Sequence, residues 1–160
     1  MLNKSVLLET SFFIRLLNPS DPLARQAEGY FRYFQQEQYP MLISTVSIAE
    51  FCVLGALDQL PLKNLRVLPF NVVHAVRAGE FAAAVFASKG RNLLLNRNII
   101  PNDTKLFAQA DSEASIGYYL TSDSESGKVH TLLRQTGQNP RFQFVDLKTP
   151  HTEVFGTLGF

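Results

Sequence analysis

Short apolar runs alternate with longer segments of helical periodicity along the 160-residue chain. The apolar runs lack a polar alternation, which is typical of strands that are buried on both faces of a sheet. They predict strands at 5–8, 41–45, 65–70, 116–120 and 142–147, and the segments between them predict helices near 11–17, 23–38, 47–57, 71–89, 101–114 and 127–136. This order predicts an α/β fold with a mostly parallel central sheet that helices cover on both faces.

Capping residues mark where several of the predicted helices begin and end. Ser47, with Glu50 three residues later, has the spacing of a capping box and predicts the start of the third helix. Asn71 is expected to start the long fourth helix, and Gly90 is expected to end it.

The length of the chain predicts one domain, which we place at residues 1–148, followed by a C-terminal tail at 149–160. The tail is poorly patterned, and its apolar residues are expected to pack either on this domain or on a partner: Val154, Phe155, Leu158 and Phe160. No apolar run is long enough to span a membrane, and no signal-peptide cleavage site follows the N-terminal apolar stretch. Together with the single cysteine, this predicts a cytoplasmic protein.

Composition and charge exclude several classes of site. The chain is 46% hydrophobic and 18% charged, which predicts a folded core rather than disorder. Fifteen Lys and Arg residues balance 14 Asp and Glu residues, so a polybasic tail is excluded while a local basic patch stays open. One cysteine excludes a disulfide framework and multi-cysteine zinc sites. The sequence also lacks the signatures of P-loop, dinucleotide-binding, hydrolase-elbow and zincin sites.

Acidic residues lie near the carboxyl ends of the predicted strands. Glu9 directly follows the first strand, and Glu50 lies five residues past the second. Asp103 opens the helix before the fourth strand, Asp123 follows that strand, and Glu125 comes two residues later. Because ligands bind beyond the carboxyl ends of parallel strands, we expect these acids to converge at one edge of the sheet. Clustered carboxylates repel one another, and a hard divalent cation such as Mg²⁺ or Mn²⁺ relieves that repulsion.

Hydroxyl groups accompany these acids, and we expect them to orient water or phosphate: Thr10, Ser11, Thr121 and Ser122. Each acid taken alone also has a purely structural explanation. Glu50 can complete a capping box, Asp103 can cap a helix, and Asp123 can shape a polar turn. Glu9 is harder to explain, because a carboxylate that directly follows an apolar strand is at risk of costly burial. The metal-site hypothesis therefore depends on the joint pattern.

Four stretches of the sequence occur in the order and with the separations of one known family: VLLETSFFIRLL (6–17), STVSIAEF (44–51), IIPNDTKLFAQA (99–110) and YYLTSDSE (118–125). Through them, residues 6–147 resemble the PIN-domain family, particularly the VapC-type ribonuclease toxins of bacteria. The resemblance implies a three-layer α/β/α PIN-like fold and an acidic cluster that binds Mg²⁺ or Mn²⁺ and hydrolyses RNA phosphodiester bonds. It also implies a small antitoxin protein as a partner that covers the acidic groove, and a homodimer.

The resemblance also implies roles for individual residues. The four acids of the family fall on Glu9, Glu50, Asp103 and Asp123, of which the first, third and fourth are expected to ligate the metal. Thr10 and Ser11 match the polar residues that follow the first acid, and Glu125 matches a more variable acidic position.

Glu9 departs from the family pattern, because the first acid is usually Asp. The extra methylene moves the carboxylate outward by about 1.5 Å. Mg²⁺ requires near-ideal geometry, so two hypotheses stay open: an active metal-dependent endoribonuclease, and a catalytically weakened PIN-fold module that binds RNA or protein without cleavage. A receiver-like phosphoryl-transfer domain is disfavoured, because such domains carry adjacent acids after the first strand.

Positive charges near the acids are candidates for contacting an RNA substrate: Arg15, Lys105 and Lys128. Arg91 and Arg97 lie in a polar segment that is either a substrate-touching loop or a simple connector. For each of these residues, a scattered surface charge is the structural alternative.

The remaining notable residues are expected to be structural. Cys52 lies on an apolar helical face and is predicted to be a small core residue. His74 and His130 are predicted to lie at the surface or half-buried on helices. An aromatic stretch in the second helix is predicted to supply core and a dimer face: Tyr30, Phe31, Tyr33 and Phe34.

Overall fold

The computed structural model of the chain describes residues 4–89 and 102–156. In these ranges the strands are β1 (Ser5–Leu8), β2 (Met41–Ser44), β3 (Leu65–Leu68), β4 (Ile116–Thr121) and β5 (Gln143–Asp146). They form one sheet in the order β3-β2-β1-β4-β5, and every neighbouring pair is parallel. The predicted parallel sheet is therefore confirmed; β1 has the predicted bounds, and the ends of the other strands lie within two residues of the predicted ends.

Helices cover both faces of this sheet. They are α1 (Thr10–Leu16), α2 (Ala24–Gln36), α3 (Thr45–Phe51), α4 (Val72–Lys89), α5 (Asn102–Ser112), α6 (Ser124–Gln135) and α7 (His151–Phe155). Short 3-10 turns at Leu57–Gln59 and Leu62–Asn64 connect α3 to β3. The result is a three-layer α/β/α fold, as predicted. Among the described residues, no helix combines the length and the apolar character needed to cross a lipid bilayer.

Alternate residues of the central strands enter two separate cores. Val6 and Leu8 of β1 join the core beneath α1, α2 and α7, whereas Leu7 joins the core beneath α4, α5 and α6. Tyr119 and Leu120 of β4 divide in the same way. Because both faces are buried, the strands have the continuous apolar runs that the sequence shows.

The order of the strands reverses between β1 and β4. The chain builds outward from β1 through β2 to β3, and then returns to place β4 and β5 on the other side of β1. In open parallel sheets, the crevice beyond the carboxyl ends of the strands at such a reversal is where ligands bind. The residues that follow β1 and β4 therefore occupy the position where chemistry is expected.

The C-terminal residues that the structure describes pack on this domain, which is one of the two alternatives that the sequence left open. Val154 and Phe155 of α7 lie against the core that α2 covers. The ring of Phe155 stacks on Tyr33, with 4.9 Å between centroids, and meets Tyr118 edge-on at 5.0 Å. Leu158 and Phe160 lie outside the described residues.

Two predicted burial states are wrong. Cys52 is exposed because α3 ends at Phe51 and Cys52 forms its C-terminal cap, so it does not continue the apolar helical face. His74 is 1% exposed, and both of its ring nitrogens have polar partners that compensate for the burial. Nδ1 accepts from the backbone N–H of Asn71 at 3.1 Å, and Nε2 lies 2.8 Å from Oε1 of Glu113. Gly90, the expected end of α4, lies outside the described residues, as do Arg91 and Arg97.

Candidate active site

Glu9 lies at the junction of β1 and α1, where its side chain caps the helix. Its Oε2 accepts from the backbone N–H of Ser11 at 2.9 Å and from the Ser11 hydroxyl. The Thr121 hydroxyl, at the end of β4, donates to the same oxygen at 2.9 Å. Glu9 is only 8% exposed, and this burial raises the pKa of its carboxyl group against the lowering effect of the Ser11 and Thr121 hydrogen bonds. Glu50 raises the pKa of Glu9 further through charge repulsion.

Glu50 lies in the last turn of α3, and the expected capping box with Ser47 is wrong. The helix begins earlier than predicted, because Ser44 caps it by accepting from the Val46 N–H at 3.0 Å. Ser47 is therefore buried inside the helix. Glu50 does not cap the helix. Its Oε2 accepts a hydrogen bond from the Thr10 hydroxyl at 2.6 Å, and its Oε1 accepts one from the Asn102 amide.

Asp103 lies in the first turn of α5, and a residue of α6 donates a hydrogen bond to its carboxylate. The Ser126 hydroxyl donates to its Oδ1 at 2.5 Å. Burial raises the pKa of Asp103, and the Ser126 hydrogen bond opposes this effect. Repulsion from Asp123, Glu50 and Glu125 raises the same pKa further.

Asp123 is exposed and forms the N-terminal cap of α6. Its Oδ1 accepts from the Glu125 N–H at 2.9 Å, and its own N–H donates to the Thr121 hydroxyl at 3.0 Å. This cap starts α6 three residues before the predicted helix at 127–136. The next acid, Glu125, forms an exposed ion pair with Lys128 at 2.6 Å.

These acids, which lie on or cap the helices α1, α3, α5 and α6, interact electrostatically. Glu50 raises the pKa of Glu9, and Glu50, Asp123 and Glu125 raise the pKa of Asp103. Among residues 4–89 and 102–156, no three His, Cys, Asp or Glu side chains are already arranged to enclose a metal ion. The donors around the cluster are carboxylate and hydroxyl oxygens, which hard cations such as Mg²⁺ prefer. The chemistry of this donor set, and the repulsion that a cation would relieve, fit a divalent metal.

The hydroxyl groups predicted to support the acids form a connected network. Ser11 Oγ accepts from the Ser122 N–H at 2.9 Å and lies 3.2 Å from Thr121 Oγ1. Thr10 bonds Glu50 and lies 3.5 Å from the carbonyl oxygen of Ser47. The network joins the ends of β1 and β4 and thereby fixes Glu9.

The predicted substrate-binding cations lie at the rim of the cluster. Arg15 donates to Asp21 at 2.5 Å, and its Nε lies 3.4 Å from Ser122 Oγ. Lys105 Nζ donates to the side-chain oxygen of Asn102 at 3.3 Å. With Lys128 beside Glu125, each of the three cations has a polar partner close to the site.

Three residues at the site were missed by reasoning from the sequence. Asn102 precedes Asp103 and bonds Glu50, and its position beside a candidate ligand was an available signal. Ser126 bonds Asp103 and lies three residues after Asp123, in the first turn of the same helix. Tyr119 is fully buried on β4, and its pKa is raised well above the ordinary value by burial and by the carboxylates of Glu9 and Asp103. No sequence pattern distinguishes this tyrosine from a core residue.

An apolar groove of about 710 Å³ adjoins the cluster at Glu50. Its lining comes from the end of α1 and from the residues that follow α3, including Ile14, Leu17 and Leu54. Leu54 is 99% exposed and Val53 is 77% exposed. Apolar side chains this exposed beside a polar site are typical of a surface that another molecule covers.

Solved structures with the same fold exist. A structure of VapBC2 from Rickettsia felis bound to a DNA fragment from its promoter contains a chain that superposes with a TM-score of 0.56 at 16% identity, over 88% of this chain and 97% of that chain. DNA-bound VapBC from Salmonella typhimurium contains another, with a TM-score of 0.53 at 17% identity, over 90% of this chain and 98% of that chain. Neither a protein-family model nor a curated protein sequence matches the chain. The likeness to these complexes confirms the predicted PIN-like fold.

Proposed function

We propose that this protein is a metal-dependent endoribonuclease of the VapC toxin type. The observation that carries the proposal is the acidic cluster beyond the ends of β1, β2 and β4, where burial and mutual repulsion raise the pKa of Glu9 and Asp103. Perturbed carboxyl groups in the crevice of a parallel sheet are typical of a catalytic site. The fold shared with chains of VapBC complexes supports the toxin assignment.

Each residue of the cluster has a role in this proposal. Glu9, Asp103 and Asp123 hold Mg²⁺ or Mn²⁺, and Glu50 completes the negative charge of the site. A bound divalent cation supplies a Lewis acid that acidifies water and neutralises charge on a phosphodiester. Thr121 orients Glu9 by donating to its Oε2.

The substrate side of the proposal depends on a few cations, because the net charge of the chain is only +1. Arg15, Lys105 and Lys128 lie around the acids and would contact phosphates on either side of the bond that is cut. A small number of phosphate contacts predicts a weak dependence of RNA binding on salt.

Asp103→Asn tests the enzymatic assignment. The amide keeps the shape and the hydrogen bond from Ser126 but removes the charge, so we expect Mn²⁺-stimulated cleavage of RNA to fall at least about a hundredfold while the protein stays folded. Asp58→Asn removes a carboxylate from an exposed turn outside the cluster and serves as the matched control. A variant at Asp103 that cleaves RNA as fast as the parent would contradict the role of this acid.

A catalytically weakened binding module is the second candidate, and Glu9 is the observation that favours it. Its carboxylate is drawn onto Ser11 and Thr121, and the longer side chain replaces the Asp that is usual in the family. Calorimetric titration with Mn²⁺ separates the two candidates. Binding at micromolar to low millimolar Mn²⁺ supports the nuclease, whereas no binding at millimolar Mn²⁺ supports a module that binds RNA or protein without cleavage.

We further propose that an antitoxin-type protein binds this chain along the apolar groove beside Glu50. A segment seated against Leu17 and Leu54 would shield the neighbouring acids from RNA and thereby inhibit cleavage. Leu54→Glu places a charge in the groove, so we expect it to relieve inhibition by the partner without lowering cleavage by the free protein. Asp58→Glu, on the adjacent exposed turn, is the control.

A homodimer is the remaining part of the partner proposal. The N-terminal turns of α4 expose Val72, Val73 and Val76, by 78%, 65% and 61% respectively, and Val67 of the edge strand β3 is 47% exposed. A second copy of the chain would cover this apolar surface. Sedimentation of the parent and of Val76→Glu tests this, and we expect the variant to shift toward the monomer.

A further inference from the structure

Tyr119 has a buried hydroxyl group that no neighbour satisfies. Its side chain is 0% exposed, and among the described residues no group lies in hydrogen-bond geometry with its phenolic oxygen. The ring itself is well packed, edge-on to Phe107 at 4.9 Å between centroids and stacked near Phe144 at 6.0 Å. A phenylalanine would make the same ring contacts without burying an unpartnered polar group, which is costly.

The phenol lies beside the hydroxyl that holds Asp103. Ser126 is also 0% exposed and donates its proton to Asp103 Oδ1 at 2.5 Å. A hydroxyl that gives its proton to a carboxylate keeps lone pairs that can accept a second hydrogen bond. The Ser126 hydroxyl is close enough to the Tyr119 phenol to lower its pKa, and the carboxylates of Glu9 and Asp103 act on the same phenol in the opposite direction. Burial raises the pKa of the phenol, so its O–H stays protonated and is able to donate a hydrogen bond.

We propose that Tyr119 and Ser126 are positioning residues for Asp103. With a divalent cation held by Asp103, the Tyr119 phenol would donate to Ser126 Oγ while Ser126 keeps its hydrogen bond to Asp103 Oδ1, so that the two hydroxyls would fix the orientation of the carboxylate. The two buried hydroxyls support the acid from α6 and β4, outside the set of direct ligands. This inference rests on the proposed function, because it assigns the pair to the same metal site.

The pair explains why a buried phenol is present where a phenylalanine would fill the same space. Hydrogen bonds to a ligating carboxylate fix its orientation, and loss of such an outer partner usually weakens metal affinity by about 10- to 100-fold. The unpartnered phenol then destabilises the metal-free protein, and this destabilisation is removed when metal binds. A hydroxyl with a purely structural role would stabilise the metal-free protein instead.

Tyr119→Phe and Ser126→Ala test the inference in the full chain. We expect each variant to weaken Mn²⁺ affinity, measured by calorimetry, by about tenfold relative to the parent. Tyr119→Phe should also raise the Tm of the protein in EDTA by about 2–4 °C, because the unpartnered hydroxyl is gone. Tyr118→Phe, which removes a phenol from the opposite face of the same strand, and Ser124→Ala, an exposed position in the same helix, are the matched controls.

The outcomes separate this inference from the proposed function. If the parent binds Mn²⁺ and both variants bind it as tightly as their controls, the positioning role is overturned while the nuclease proposal stands. If the parent itself binds no Mn²⁺, both fail. Circular dichroism verifies folding of each variant, and Ser126→Ala keeps the test decisive if Tyr119→Phe does not fold.

Discussion

Glu9 and Thr121 join the ends of the two central strands, because the Thr121 hydroxyl donates to Glu9 Oε2 at 2.9 Å. Glu9 follows β1 and Thr121 ends β4, so this bond lies where the order of the strands reverses. The Ser11 N–H and hydroxyl converge on the same oxygen. The longer glutamate side chain is thus held by three donors, and its extra methylene does not leave the carboxylate loose.

Glu9→Asp should change which cation supports cleavage. The shorter side chain withdraws the carboxylate by about 1.5 Å and restores a residue that caps helices well. Mg²⁺ demands stricter geometry than the glutamate provides, so we expect the parent to cleave RNA faster with Mn²⁺ than with Mg²⁺. In the variant, the ratio of the Mn²⁺-supported rate to the Mg²⁺-supported rate is expected to fall by about tenfold. Initial rates of RNA cleavage in each metal measure this ratio.

Glu28→Asp, on the exposed face of α2, is the control for this shortening, and its ratio should equal that of the parent. An unchanged ratio in Glu9→Asp would show that side-chain length does not set the preference for the cation.

The metal-free protein should lose stability as the pH rises above 3.8, where Asp103 begins to ionise in the unfolded chain, and further above 4.5, where Glu9 does. Their pKa values in the folded protein lie above the ordinary values of 4.5 and 3.8. Within that window the folded state holds more protons than the unfolded chain, so the free energy of unfolding falls with rising pH. Urea denaturation in EDTA at several pH values measures this effect.

Glu9→Gln and Asp103→Asn should each flatten that dependence, because an amide does not titrate. Two other groups change the free energy of unfolding with pH. Arg15 lowers the pKa of Asp21, so Asp21 contributes stability that is lost only as the pH falls below 3.8. Burial lowers the pKa of His130, so the protein gains stability as the pH rises toward 6.5. Because Asp21 and His130 are the same in the parent and in each variant, their contributions cancel in the difference between the two free energies of unfolding. A difference that does not vary with pH would contradict the raised pKa values.

Much of the fold was predictable because both faces of the sheet are covered. Leu7 and Leu8 enter opposite cores, so the strand is apolar at every position and is visible in the sequence as a short run. The acids were predictable for a related reason, since strand ends in a parallel sheet share one edge. The sequence does not show distances, and the role of Ser126 depends on how α6 packs against α5.

The predictions from the sequence that are wrong concern the start of one helix and the polar partners of a buried histidine. Both Ser44 and Ser47 are suitable caps, and in the structure the helix follows directly on β2, with Ser44 ending the strand and capping α3. Moving that start by three residues placed Glu50 in the last turn and Cys52 beyond the helix. The burial of His74 could not be predicted from the sequence, because its partner Glu113 is 39 residues away along the chain. The fold alone brings the two side chains together.

His74→Ala should destabilise the fold without affecting cleavage. The ring accepts from the Asn71 N–H, and Asn71 Oδ1 in turn accepts from the His74 N–H at 3.0 Å, so the two residues cap α4 reciprocally. With Nδ1 as an acceptor, Nε2 carries the proton and donates to Glu113. Loss of these bonds and of the buried ring is expected to cost about 2–3 kcal/mol, measured by urea denaturation.

Asn71→Ala removes only the capping oxygen and should cost about 1 kcal/mol. The decisive comparison is between the losses in the free energy of unfolding of the two variants. We expect His74→Ala to lose more than Asn71→Ala, whereas a histidine at the surface would lose less. Nitrogen chemical shifts of the imidazole provide an independent check on which nitrogen carries the proton.

Cys52 should react with a maleimide in the native protein. Its side chain is exposed at the end of α3, so alkylation needs no unfolding and is expected to proceed within a few-fold of the rate in urea. Mass spectrometry gives the extent of reaction, and Cys52→Ser is the unreactive control. A thiol that reacts only after denaturation would restore the core position expected from the sequence.

Phe155→Ala should destabilise the isolated protein, because α7 belongs to its core. The ring lies 4.9 Å from that of Tyr33 and 5.0 Å from that of Tyr118, and it is half-buried in the free chain. We expect a loss of about 2 kcal/mol in the free energy of unfolding. Glu153→Ala, an exposed position in the same helix, should change stability little. If α7 instead served only to contact a partner, Phe155→Ala would leave the stability of the free protein unchanged and weaken only a complex, so measuring both variants alone in solution decides between the two roles.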